Sequence, residues 1–254
     1  MIHVLLSRWR QGQRTMAYPR VLPTLPERYR GRPQLRAGAC PEGCQACVTA
    51  CPTGALSLAP DGPRLDLGRC LFCPECVEAC PEAVLGFSGE HAMAVRRRAD
   101  LMLAPEREAV LAEALEAAMR KLFGRSLKLR VVSAGGCNGC EVDVNVLGTI
   151  AWDLGRFGIQ FVASPRHADG LLLCGPVTAN MELAVRKTYE AMPAPKLVIA
   201  VGACAISGGP YLHQPEQLGG ADSVLPVDLY IPGCPPHPLT ILDGLLRLLG
   251  RLEA

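Results

Sequence analysis

The sequence has no apolar run approaching the ~20 residues that a helix needs to cross a bilayer. A spanning segment is therefore not expected, and any membrane contact would be peripheral. Neither charge is in excess: the formal net charge is +2, which leaves no electrostatic case for a nucleic-acid partner. A secretory leader is not expected either, because "MIHVLLSRWRQGQR" breaks into arginines before an apolar core develops. Acid is what the first 38 residues lack. They hold eight arginines and one glutamate, so the arm at residues 1–32 is strongly basic. It reads either as a solvated extension or as a docking element for an acidic partner or anionic lipid.

Cysteine, by contrast, is abundant, at thirteen in 254 residues. A disulfide framework is disfavoured by the odd count, the chain length and the lack of a leader-like pattern in the first residues. Metal binding in a reducing compartment remains, with zinc and iron–sulfur as the alternatives.

Eight of these cysteines form an internal repeat. Cys44, Cys47 and Cys51 recur 29 residues later as Cys73, Cys76 and Cys80, whereas Cys40 recurs 30 later as Cys70. The trailing residues echo as well, "CPTGAL" against "CPEAVL". The offset marks a one-residue insertion in "CPEGC", which Gly43 is best able to absorb. The pattern is that of a two-cluster ferredoxin, C-x2-C-x2-C-x3-C-P, in which the fourth ligand of each cluster comes from the other motif. That rule groups Cys40, Cys44, Cys47 and Cys80 on one cluster and Cys70, Cys73, Cys76 and Cys51 on the other. Zinc ribbons use two separated C-x2-C pairs and need neither the third cysteine nor the Cys-Pro. The block at 33–90 has few strong core residues, so bound clusters would supply the missing core.

Between this block and the remainder lies a linker, residues 91–126. Its stretch "APEREAVLAEALEAAMRKLFG" (104–124) predicts an amphipathic helix, with Pro105 in the first turn, Arg120 and Lys121 in the last, and Gly124 as a stop. Residues 127–254 alternate short apolar runs with helical stretches at 142–156, 180–192 and the C-terminus. The runs "LKLRVVSA", "GIQFVAS", "ADGLLLCG", "KLVIAVG" and "VDLYIPG" read as strands buried on both faces. The fold class is α/β: an N-terminal two-cluster ferredoxin-like domain, a helical linker and a C-terminal open parallel sheet.

In such sheets ligands gather beyond the carboxyl ends of the strands. Cys137 and Cys140 follow the first strand, Cys204 another, and Cys234 the last. Three loops thus deliver four thiolates to one edge, with glycines 135, 136, 139, 202, 208, 209 and 233 around them. A four-cysteine zinc site fits this spacing nearly as well as a cluster, and the neighbouring repeat tips the balance to iron. Cys174 also ends a strand, but a lone cysteine after three leucines reads as a small buried hydrophobe. Glu141, beside Cys140, reads either as a proton carrier or as an acid at a helix start. The five histidines show no ligand spacing with one another.

"CNGCEVD", "RFGIQFVASPRHADGLLLCGPVT", "GACAISGG" and "VDLYIPGCPP" together resemble the small subunit of group 4 membrane-bound nickel–iron hydrogenases. Formate hydrogenlyase belongs to that group, and the 20-kDa subunit of respiratory complex I is a relative. The segments "LLSRWRQGQRTMAYP" and "RYRGRP", with the two cysteine runs, resemble the ferredoxin-like subunit of the same complexes. The chain thus looks like a fusion of the two subunits. The resemblance implies a flavodoxin-like domain at 127–254 with one 4Fe–4S cluster on Cys137, Cys140, Cys204 and Cys234, making three clusters in all. It also implies that the position of Cys174 is not a ligand.

Further, it implies an electron-transfer subunit of a multi-subunit oxidoreductase, with no catalytic site of its own. Its partners would be a nickel–iron large subunit, membrane-arm subunits and a donor such as ferredoxin or a formate dehydrogenase. It would sit on the cytoplasmic side of the cell membrane. Complex I subunits carry adjacent cysteines where this chain has C-x2-C, which favours the hydrogenase branch over quinone reduction. Arg166 and His167 are expected either to meet the large subunit near the cluster or to cap a loop. A complex I-like quinone or ferredoxin oxidoreductase subunit is the first rival. A zinc-stabilised binding protein is the more remote one.

Overall fold

The computed structural model describes residues 2–36, 40–41, 43–60, 62–105 and 109–252. Helix α1 (Ile2–Gln11) buries none of its residues. The chain after it behaves differently. Met16 N donates to the carbonyl of Ala151 at 2.9 Å, and the Arg156 guanidinium donates to the carbonyls of Met16 and Tyr18. Tyr18 is buried, with its hydroxyl 2.9 Å from Asp243 Oδ1. Beyond α1, the basic arm is therefore a strap fastened across the C-terminal part.

The cysteine repeat rides on two small antiparallel sheets. One pairs β1 (Pro33–Leu35) with β4 (Leu85–Phe87). The other joins β2 (Leu56–Ala59), β3 (Gly62–Asp66) and β5 (Met102–Leu103). Helices α2 (Ala46–Ala50) and α3 (Glu75–Glu78) lie within the two cysteine runs, carry Cys47 and Cys76, and pack together. The sequence repeat is also a backbone repeat. Gly43 and Phe72, each just before the second cysteine of its loop, take φ of +73° and +57°. Gly54 and Ala83, each three residues past the last cysteine, take +60° and +50°. Holding Phe72 and Ala83 there costs about 1–3 kcal/mol each, and such strain collects at functional loops. The extra residue is taken up in a turn, with Cys44 N donating to Pro41 O at 3.0 Å.

This block buries more apolar surface than its composition promised. Leu56, Leu65, Leu67, Leu85, Leu101 and Leu103 are continuous with one face of the larger sheet, through Ile206, Leu171 and Leu173. At the seam a Cβ on Gly68 would meet Ile206 at 2.7 Å, and Ser207 Oγ donates to Gly68 O at 2.8 Å.

The helix predicted over 104–124 is a correction. Only α4 (Ala117–Phe123) is helical, and residues 106–108 lie outside the described residues. Residues 109–116 form a non-helical strap: Ala112 N donates to Ala94 O, and Leu115 N to Leu248 O. The apolar stripe was a true burial signal, but Ala112 and Leu115 reach the core through irregular chain. A short helix is marginal alone, and tertiary hydrogen bonds outcompete it. Upstream, Val95 exchanges two backbone hydrogen bonds with Tyr230 and covers an exposed sheet edge.

That larger sheet holds β6 (Leu127–Ser133), β7 (Ile159–Phe161), β8 (Gly170–Cys174), β9 (Leu197–Val201) and β10 (Leu229–Ile231). All are parallel in the order β7-β6-β8-β9-β10. Counted along the chain this is 2-1-3-4-5, the flavodoxin-like order, whose switch point lies between β6 and β8. Side chains of β8 alternate: Leu171 and Leu173 face one core layer, Leu172 and Cys174 the other. Helices α5 (Gly139–Val146), α6 (Ala179–Glu190), α7 (Ala203–Ser207) and α8 (Pro238–Leu248) complete the layers. The helix expected at 142–156 ends at Val146 and resumes only as a 3-10 turn, Leu154–Phe157.

Candidate metal centres

None of the thirteen cysteines forms a disulfide. In the repeat, burial pushes the Cys47 thiol up, and Cys80 and Cys40 add to it. Burial pushes Cys70 up to about 12 and Cys76 up to about 11, with Cys51 and Cys73 acting on both. The neighbours each thiol feels therefore come from both halves of the repeat. Two amides point at sulfur: Ala55 N lies 3.2 Å from Cys51 Sγ, and Phe72 N 3.3 Å from Cys70 Sγ.

A second gathering stands at the carboxyl edge of the parallel sheet. Burial raises Cys140, with Cys204, Glu141, Cys234 and Cys137 adding to it. Cys204 is pushed up to about 12 by burial, then by Cys234 and Cys137. Cys137 is exposed and Cys204 buried, so this group reaches from the surface inward. Not all seven glycines serve it. A Cβ on Gly202 or Gly209 would meet Cys140 Sγ at 2.5 Å or Cys204 Sγ at 2.9 Å. One on Gly139 would lie 3.6 Å from Cys137 Sγ, while Gly135, Gly136, Gly208 and Gly233 abut Thr178, Gly175, Gln217 and Pro236. Buried thiols resist ionisation, so each group calls for a bound positive centre to hold thiolates. All-cysteine donor sets, amides aimed at sulfur and a cradle that one Cβ would fill together fit iron–sulfur clusters.

Glu141 occupies the first turn of α5, is 7 % exposed, and its Oε1 has no hydrogen-bond partner among the described residues. Cys174 is fully buried in the core at the end of β8. Burial raises its thiol, and Cys140 is the next largest cause. Arg166 and His167 form a 3-10 turn just before β8, at the amino ends of the strands. They stand away from the cysteine edge, which overturns contact near the cluster as their role. His237 is structural: its Nδ1 accepts from Leu239 N at the start of α8, and burial lowers its pKa.

One juxtaposition was not visible in the sequence. Burial raises Cys234, and the charges acting on it are those of Cys137 and of Cys73 from the repeat. Leu71, Phe72, Gly233 and Cys234 line one cavity of about 270 Å³, together with Arg28 and Arg30 of the strap. Arg30 donates to Phe72 O at 3.1 Å. The motif "RYRGRP" was the only trace of this, and nothing in its spacing indicates where the strap runs.

Comparison with known proteins agrees with this geometry. Residues 137–248 match the model of the NADH ubiquinone oxidoreductase 20 Kd subunit, and residues 39–84 that of a 4Fe-4S dicluster domain. The chain is 43% identical over 132 residues to the probable membrane-bound hydrogenase subunit mbhJ of Pyrococcus furiosus, covering 52% of this chain and 79% of that protein. It is 43% identical over 139 residues to formate hydrogenlyase subunit 7 of Escherichia coli, covering 55% of this chain and 54% of the relative. Against a subunit of the NADH-quinone oxidoreductase of Bacteroides thetaiotaomicron it is 41% identical over 133 residues, covering 52% and 66%. The chain therefore belongs to the family of the 20-kDa subunit of NADH ubiquinone oxidoreductase, here preceded by a 4Fe–4S dicluster domain.

Proposed function

We propose that this chain is the electron-transfer subunit of a membrane-associated, hydrogenase-like complex, holding three 4Fe–4S clusters in series. Cys40, Cys44, Cys47 and Cys80 hold the outer cluster. Cys70, Cys73, Cys76 and Cys51 hold the middle one, and Cys137, Cys140, Cys204 and Cys234 the innermost. When bound, such clusters carry single electrons at potentials set by burial and by hydrogen bonds to sulfur. The observation that carries the reading is that Leu71 and Phe72, just before Cys73, share a cavity with Cys234, on which the Cys73 thiolate also acts electrostatically. It supports an order in which the middle cluster, not the outer, neighbours the innermost. The chain's own residues bind and orient: α2 and α3 set the repeat loops, and Arg28 and Arg30 line the gap beside Cys234.

The proposed partner is a nickel–iron large subunit seated over the exposed Cys137, beside membrane-arm subunits, on the cytoplasmic side of the membrane. A donor such as ferredoxin or a formate dehydrogenase would serve the outer cluster. The Oε1 of Glu141, without a hydrogen-bond partner among the described residues, supports a proton-carrying role at that same edge. The test is to isolate the native complex from membranes and sequence its large subunit. Two C-x2-C pairs in that subunit support the hydrogenase reading. Their lack favours quinone reduction, a second reading supported by the quinone oxidoreductase relative.

Cys40 carries its own prediction, since the insertion separates it from the other cysteines of its loop. Cys40→Ala is expected to leave a defective or three-iron outer cluster while the cluster at Cys70 survives. An unchanged paramagnetic-resonance spectrum of the reduced variant would show that Cys40 is not a ligand.

A further inference from the structure

Every residue of helix α1 is exposed. At about 100° per residue, Ile2, Leu5, Leu6 and Trp9 fall at i, i+3, i+4 and i+7, a single stripe. They are 70 %, 68 %, 43 % and 82 % exposed, an apolar surface facing water. Arg8 and Arg10 flank the stripe on its two sides, and Ser7 and Gln11 lie opposite. Ten residues rise only about 15 Å, too short to cross a bilayer. A few residues further on, the strap anchors to Ala151, so the helix is held close to the body.

We infer that α1 is an in-plane membrane anchor that inserts Ile2, Leu5, Leu6 and Trp9 into the surface of an anionic bilayer. The occupant follows from charge: Arg8 and Arg10 on the helix, with Arg14 and Arg20 just after it and no acid in the first 20 residues, complement anionic headgroups. Arginines flanking an apolar stripe reach back to the headgroups, and tryptophan favours that boundary. A short amphipathic helix of low net hydrophobicity with such a face lies at the interface. This attachment belongs to the chain itself and does not rest on the cluster assignments or on any partner subunit.

The test is co-sedimentation of the anaerobically purified full chain with vesicles containing phosphatidylglycerol, against vesicles of phosphatidylcholine alone. Binding to the anionic vesicles alone is expected, weakening as salt is raised. The double variant Leu5→Asp with Trp9→Asp is expected to bind at least about tenfold more weakly. Because Leu5 and Trp9 are largely exposed, its iron content and circular dichroism should match those of the parent. Equal binding to both vesicle types, no binding to either, or full binding by the double variant would each overturn the inference. So would an α1-dependent dimer in solution, which would make a second copy the occupant.

Discussion

Gly202→Ala is expected to strip the innermost cluster from the chain and leave the other two in place. Gly202 follows β9 with φ +89° and ψ 159°, a conformation open essentially to glycine alone. Its missing Cβ matters more. An alanine methyl there would lie 2.5 Å from Cys140 Sγ and 3.4 Å from Gly233 O. The backbone has nowhere to retreat, because Gly202 N donates to Ile231 O and Ala203 N to Gly233 O, both at 2.8 Å. The sulfur must move instead, and a thiolate ligand displaced by the width of a methyl group no longer reaches its cluster. The variant should retain about eight of twelve irons, four per cluster. Its sheet should persist, since β8 and β9 are buried throughout independently of the site. Iron and acid-labile sulfide per chain are the readout. A variant with the full complement would mean that Cys140 does not hold the cluster.

Asp66→Ala is expected to loosen the path into the middle cluster. The carboxylate takes a bidentate contact from Arg98, at 2.8 and 2.6 Å, and also accepts from Gly68 N at 2.8 Å. Its carbonyl receives the amides of Arg69 and Cys70, so one residue orders the whole turn that delivers the Cys70 thiol. The same turn meets the α/β part through Gly68 and Ser207. Removing one member of a largely buried ion pair costs about 3 kcal/mol, because the remaining charge loses its partner. Asp66→Asn keeps an acceptor for Gly68 N and should lose about half as much. A chain with bound clusters does not unfold in two states, so hydrogen exchange at Gly68 and Cys70 is the measurement. Unchanged protection of those amides in Asp66→Ala would refute the role.

Much of this architecture was legible because burial on two faces leaves a simple mark. "GLLLC" and "LVIAV" are continuous apolar runs, and both are fully buried central strands, β8 and β9. The repeat was legible because cluster loops demand fixed spacing, and the positive φ at Phe72 and Ala83 repeats that of Gly43 and Gly54. The strap at 109–116 was not legible. An apolar stripe reports which residues are buried, but not whether a helix or an irregular segment buries them. The glycines were read alike, yet only three of the seven abut a cysteine sulfur, a distinction made by contacts from distant loops. The same holds for the electrostatic effect of Cys73 on Cys234. The two are far apart in sequence, and the seam at Gly68, Ile206 and Ser207 that joins their parts of the chain is announced by no local pattern.

The central claim is three clusters in one chain, and the most direct test is iron and acid-labile sulfide in the full chain purified without oxygen. About twelve irons with matching sulfide are predicted, at four per cluster. About eight irons would leave one of the three proposed sites without its cluster. Near-zero iron with bound zinc would contradict the account altogether.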